Sequence, residues 1–161
     1  MQKAHEVVSS SSGSGTAQHR KDTAYRRRAG KRLEGIRILV VDDERDSRLV
    51  LETCLRLRGA HVRTAASAGE GRRELEKFKP HVIVSDIAMP GEDGHQFVRG
   101  IRAMSVEHGG STPAIALTAF ADPEAQLEAL EAGFNAHLGK PANYEELLSL
   151  LRRLAFAAGA G

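Results

Sequence analysis

Asp42 and Asp43 stand side by side at the end of the apolar run "ILVV", residues 38–41. Adjacent carboxylates repel, and each disfavours the other's ionisation, so the pair asks for a positive partner. A third carboxylate, Asp86, follows "VIVS", Thr118 follows "AIAL", and Lys140 follows "AHLG". Each of these apolar runs reads as a short strand, which puts five polar groups at four strand ends. Taken singly, an Asp after a strand is a common turn former, and a Lys before Pro is common surface. Their joint placement suggests chemistry. Hard carboxylate oxygens suit Mg²⁺, which binds through one or two carboxylates and accepts phosphate oxygens. Such a cation lets Asp42 and Asp43 stay ionised together. A carboxylate beside it can attack a phosphoryl group and form an aspartyl-phosphate. Lys140 and Thr118 could then neutralise the equatorial oxygens, which is most of what phosphoryl transfer asks of a protein.

The elements that must position these groups are legible from Ile36 onward. Short β-branched or apolar runs occur at Arg37–Val41, His61–Ala65, His81–Ser85, Ala114–Leu117 and, more weakly, Ala136–Leu138. Between them the apolar spacing predicts helices over Asp46–Arg58, Ala68–Phe78, Gly94–Met104, Asp122–Ala132 and Asn143–Ala157. Asp122 can cap a helix with Pro123 in its first turn and Gly133 just past its end. Asn143 and Glu146 make a capping-box-like start, followed by a stripe of Leu147, Leu150, Leu151, Leu154 and Ala158. Strands alternating with helices require crossovers, hence a parallel sheet covered on both faces. "ILVV" and "VIV" are apolar without alternation, as doubly covered strands should be. In such sheets ligands bind outside the carboxyl ends of the strands.

At 161 residues the chain suits one domain with a real core. Hydrophobic residues make up 41% and charged residues 27%, an ordinary globular balance. No apolar run approaches the roughly 20 residues of a membrane span, so no membrane association is expected. "MQKAHEVVSSSSGSG" lacks the apolar centre of a signal peptide. The single Cys54 has no partner for an internal disulfide and, between Leu51 and Leu55, is expected in the core. A reducing cytoplasm fits these features. Residues 1–35 carry eight Lys/Arg against three Asp/Glu, so the basic character lies in the leader and the remainder is mildly acidic. With a Ser/Gly tract, the "RRRAGKR" cluster and no apolar periodicity, residues 1–34 are expected to be a disordered basic leader. Tyr25 aside, no aromatics interleave with the basic cluster, and nucleic acid is not expected as a partner. A folded domain over 35–158 and a tail over 159–161 complete the expected division.

"ILVVDDE", "VIVSDIAMPGEDG", "ALTAFA" and "AGFNAHLGKP" together resemble the receiver domain of two-component response regulators, over roughly Ile36 to Ala157. The wording of "GFNAHLGKP" is similar to receivers associated with hybrid sensor kinases. The resemblance implies a flavodoxin-like, doubly wound (βα)5 fold with strand order 2-1-3-4-5. It implies that Asp86 is the phosphoacceptor, and that Asp42, Asp43, Asp86 and the backbone carbonyl of Ala88 hold Mg²⁺. Thr118 would be the switch hydroxyl, Lys140 the phosphate-contacting lysine, and Lys140–Pro141 a cis peptide. His137 stands where the family usually has Tyr or Phe as a second switch residue. Two readings of it stay open, an inward swing on phosphorylation or an exposed space-filling ring. Phe120 and Ala88 would flank the path of the hydrolytic water, which implies slow self-hydrolysis.

The expected function is that of a single-domain response regulator, since the chain ends just after the fifth helix. It would take a phosphoryl group from a histidine kinase or histidine phosphotransfer protein. It would signal to a downstream protein through the face from the fourth helix to the fifth. Dimerisation stays open. The rivals are a phosphorelay intermediate or phosphate sink of a hybrid kinase system, and a Mg²⁺-dependent small-molecule phosphatase. No enzyme activity is expected beyond the domain's own phosphoryl transfer and slow autodephosphorylation. "GFNAHLGKP" is not a P-loop, because five residues separate Gly133 and Gly139 and Pro follows the Lys. The seven His lack paired metal spacing, which argues against zinc. No second Asp follows Asp86 two residues on, unlike haloacid-dehalogenase-type phosphatases.

Overall fold

The computed structural model describes residues 32–160, so most of the expected leader and residue 161 lie outside the described residues. Five strands, β1 (Arg37–Val41), β2 (His61–Ala65), β3 (Val82–Asp86), β4 (Ala114–Thr118) and β5 (Ala136–Gly139), form one parallel sheet in the order β2-β1-β3-β4-β5. Between and after them run α1 (Arg45–Leu57), α2 (Ala68–Phe78), α3 (Gly94–Arg102), α4 (Pro123–Ala132) and α5 (Tyr144–Ala157). A 3-10 turn over Val106–His108 leads from α3 towards β4. This is the expected doubly wound, flavodoxin-like topology.

Successive residues of β1 point to opposite faces, and both faces are buried. Ile38 and Val40 join Leu51, Leu55, Leu147 and Leu151 in a layer under α1 and α5. Leu39 and Val41 join Leu75, Phe97, Ile101 and Phe134 under α2, α3 and α4. That explains why "ILVV" shows no polar alternation. Gly71 of α2 lets that helix come close to the sheet, since a Cβ there would lie 2.9 Å from the Phe97 ring and 3.1 Å from Val41.

Local chemistry sets the boundaries. β3 begins one residue later than expected, because the Arg37 N–H is taken by the His81 ring Nδ1 at 3.0 Å. It ends one residue later because the strand pairing with β4 continues through Asp86. Asp122 accepts from Ala125 N–H, Pro123 opens α4, and Gly133 (φ +119°) closes it, as its sequence implies. Asn143 accepts from Glu146 N–H at 3.2 Å. A full capping box forms instead at α3, between Asp93 and Gln96.

Two expectations on side-chain placement are corrected. In α5 the buried line is Leu147, Leu148, Leu151 and Ala155, while Leu150 and Leu154 are only partly buried and Ala158 is exposed. The helix is thus rotated from the predicted stripe, because Leu148 must cover the lower layer beside α1. Cys54 is half-buried rather than in the core, on a hollow with Leu57, Arg58, Tyr144 and Leu148.

The folded unit also starts earlier than residue 35. Leu33 is fully buried in the α1–α5 layer, and its N–H donates to the Arg58 carbonyl at 2.9 Å. Arg32 bonds Glu145 of α5 at 2.5 Å. Leu33→Ala should therefore cost about 2–5 kcal/mol of stability, the range for a buried leucine. In urea melts, a chain starting at Glu34 should show at least the loss of Leu33→Ala relative to one starting at Lys31.

Candidate functional site

Parallel pairing brings the strand ends together. Val41 of β1 lies opposite Ser85 of β3, so Asp42 and Asp86 emerge as neighbours. Leu117 of β4 lies opposite Asp86, and Thr118 lies opposite Gly139 of β5, which puts Thr118 and Lys140 on the same edge. One carboxylate oxygen from each of Asp42, Asp43 and Asp86 falls within 4.8 Å of the others. Asp42 and Asp86 are 3% and 7% exposed, whereas Asp43 faces solvent.

Lys140 bridges the buried acids. Its Nζ lies 3.1 Å from Asp86 Oδ2 and 3.3 Å from Asp42 Oδ2. Its backbone N–H donates to the Thr118 carbonyl at 2.7 Å, and the peptide bond to Pro141 is cis, as expected. Burial pushes the Asp86 carboxyl above its ordinary range; Lys140 pulls it back, and Asp42 and Asp43 push it further up. Burial disfavours the Lys140 charge, yet Asp42 and Asp86 outweigh it and hold its pKa above the usual value. One ammonium thus faces three carboxylates, and the site is short of positive charge. The donor set, three hard carboxylates within reach of one point, fits Mg²⁺.

The two acids of the pair differ in what remains free. Asp42 Oδ1 accepts from Glu44 N–H at 2.9 Å, and its Oδ2 holds Lys140. Asp43 makes no hydrogen bond or ion pair among the described residues, which leaves its oxygens open to a cation.

Thr118 is 5% exposed, and its hydroxyl oxygen accepts from Phe120 N–H at 3.1 Å. The Phe120 carbonyl in turn accepts from His137 Nε2–H at 3.2 Å, and His137 is half-buried. Phe120 is 69% exposed, so its ring lies mostly in solvent. Ala88 is exposed in the loop after β3.

Three supporting residues were not apparent in the sequence. Arg48 of α1 donates to the Asp42 carbonyl at 2.6 Å, and the buried Ser85 hydroxyl donates to the Asp86 carbonyl at 2.9 Å. Gly94 opens α3 directly against the tip of β3. A Cβ there would run into the Asp86 carbonyl oxygen and lie 2.7 Å from Ile87 Cα. Arg48 and Ser85 had no separate sequence signal. Gly94, the last residue of "MPGEDG", did.

With fold and site in place, the class is clear: an α/β protein with a three-carboxylate site at the carboxyl edge of a parallel sheet. The chain matches the response regulator receiver domain family over residues 38–152, and it belongs to that family. An uncharacterized 14.6 kDa protein of Leptolyngbya boryana is 42% identical over 120 residues, covering 74% of this chain and 90% of that protein. Protein PetR of Rhodobacter capsulatus is 36% identical over 128 residues, covering 77% of this chain; the chain spans 52% of PetR's length. Among solved structures, chemotaxis protein CheY4 of Vibrio cholerae aligns with a TM-score of 0.68 and 34% identity, over 74% of this chain and 98% of that one. No described helix is long and apolar enough to cross a membrane.

Two outcomes follow from the geometry. Asp43→Ala should weaken Mg²⁺ binding more than Asp42→Ala, because Asp42 is already engaged by Lys140 and Glu44 N–H; calorimetric titration of both variants checks the ranking. The second concerns pH. A carboxyl whose folded pKa is raised binds its proton more tightly in the native state, so its ionisation costs stability as pH rises through the window above the unfolded value. Without divalent cation, Asp86→Asn should therefore melt higher than the natural protein at pH 7. The gap should close as pH falls below the ordinary carboxylate range.

Proposed function

We propose that this domain accepts a phosphoryl group on Asp86 from a histidine kinase or a histidine phosphotransfer protein. The observation that carries this reading is the ammonium of Lys140 set between Asp42 and Asp86 inside a three-carboxylate cluster. Asp42, Asp43, Asp86 and the backbone carbonyl of Ala88 would hold Mg²⁺, which supplies charge neutralisation to the phosphoryl oxygens when bound.

The transfer is an in-line displacement. An Asp86 carboxylate oxygen attacks phosphorus, the P–N bond to the donor imidazole breaks, and the electron pair leaves with that nitrogen. Lys140 orients the Asp86 carboxylate beforehand and then donates to an oxygen of the arriving group. The Thr118 hydroxyl accepts from Phe120 N–H, and its own proton remains to be donated to a second phosphoryl oxygen.

That donation is the switch step. Drawing Thr118 towards the phosphoryl group pulls on Phe120 N–H, and the Phe120 carbonyl is bonded to His137. A movement at the site therefore reaches β5 through two hydrogen bonds. The output face is that from α4 through β5 to α5, read by a partner protein in the cytoplasm. Ala88 offers no side chain to orient a hydrolytic water, which supports slow loss of the phosphoryl group and a lasting signal. Beyond this transfer and hydrolysis, no separate enzyme activity is proposed.

Incubation with a small-molecule phosphodonor and Mg²⁺ should add one phosphoryl group by intact-mass spectrometry, and Asp86→Asn should show none. Thr118→Ala should still be labelled while losing the chemical-shift changes across α4 and β5. Labelling of Asp86→Asn at the natural rate would move the acceptor to another residue.

A further inference from the structure

The loop from Ile87 to Asp93 carries Ala88 away from Asp86 and feeds into α3. Its two ends are pinned by backbone bonds. Ile87 N–H donates to the Leu117 carbonyl at 3.1 Å, and Gly94 N–H donates to the Ile87 carbonyl at 2.8 Å. Asp93 is held by its capping box with Gln96. Between the pins lie Pro90 and Gly91, the latter at φ +76°, and then Glu92. Glu92 reaches out of the loop to Arg72 of α2 in a two-pronged ion pair, with Nη1 2.6 Å from Oε1 and Nη2 against Oε2. Arginine forks match carboxylates in this way, fixing direction as well as distance.

Arg72 sits in a fitted niche. Its guanidinium carbon lies 6.0 Å from the centre of the Phe97 ring. Both side chains are about one-third exposed, and each shifts the other's pKa towards the charged form: Arg72 upward, Glu92 downward. Neither residue makes a hydrogen bond or ion pair with Asp42, Asp86 or Lys140, and "MPGEDG" gives no hint that its Glu pairs with α2.

We infer that Arg72 and Glu92 are a positioning pair: α2 holds the loop over residues 87–93, and with it the Ala88 backbone, in the arrangement the acidic site needs before any cation arrives. This rests on the reading of Asp42, Asp43, Asp86 and Ala88 as the Mg²⁺ site. Preorganising a ligand-bearing loop lowers the ordering cost of binding. A partly exposed ion pair of good geometry supports an effect of about two- to fivefold on Mg²⁺ affinity.

Charge alone and positioning predict different signs, which makes the pair separable. Arg72→Met removes a positive charge near the site and keeps the stem over Phe97. Glu92→Gln removes a negative charge. If the two acted only through their charge, the first would tighten Mg²⁺ binding and the second would weaken it. Positioning requires both to weaken it, by about two- to fivefold, with the double variant no worse than the weaker single. Hydrogen exchange on the metal-free full chain gives a reading independent of the cation. The hydrogen-bonded amides of Met89, Asp93 and Gly94 should exchange faster in both single variants while those of β4 stay unchanged, and Arg72→Lys should restore part of the protection. Opposite shifts in Mg²⁺ affinity, or unaltered exchange in the loop, would overturn the inference. If the natural protein binds no Mg²⁺, the acidic-site reading falls, and the loop exchange alone then decides whether the pair holds the loop.

Discussion

Three carboxylates within 4.8 Å of one another, two of them buried, are the constraint around which this molecule is arranged. Like charges in a low-dielectric edge repel strongly, and burial penalises each ion in addition. Lys140 relieves part of that cost, while burial first, and Asp42 and Asp43 in addition, hold the Asp86 carboxyl above its ordinary range. The remaining deficit of positive charge makes the site receptive to a hard divalent cation. Stability and function pull in opposite directions here, which is common where a fold keeps a polar cluster ready for chemistry.

The rest of the structure keeps that cluster from relaxing. Parallel register sets Asp42 beside Asp86 and Thr118 beside Lys140, and the apolar layers on both faces hold the register. Gly94 admits the start of α3 to van der Waals range of the Asp86 backbone. Arg48 and Ser85 satisfy the carbonyls of Asp42 and Asp86 at the two strand ends. The site also has an exit. Thr118, Phe120 and His137 form a short hydrogen-bonded path from the site edge to the middle of β5.

Much of this was readable before any coordinates. Short unbroken apolar runs and period-3.6 patterns located every strand and helix to within two residues, because central strands bury both faces and helices bury one. Caps and stops at α4 were legible because Asp, Pro and Gly act through local backbone geometry. The acidic pair, Asp86, Thr118 and Lys140 were legible because strand ends in a parallel sheet share an edge. Where the pattern was ambiguous, tertiary packing decided. Leu148 outranked Leu150 in α5, and Cys54 fell beside Tyr144 rather than inside, since the angle at which a helix lies on its neighbours is not written in its own spacing.

The sequence by itself determined the element order, the identity of the strand-end groups and hence the kind of chemistry on offer, because these depend on residue type and local periodicity. The tertiary structure alone decided that Lys140 bridges Asp42 and Asp86, that Asp43 stays open, and that Phe120 turns outwards with its carbonyl on His137. It alone brought Arg72 to Glu92, 20 residues apart in the chain, and Leu33 into the core ahead of the first strand. These are contacts between residues whose local sequence carries no record of each other. They arise only when the strands pair and the helices settle on the two faces of the sheet.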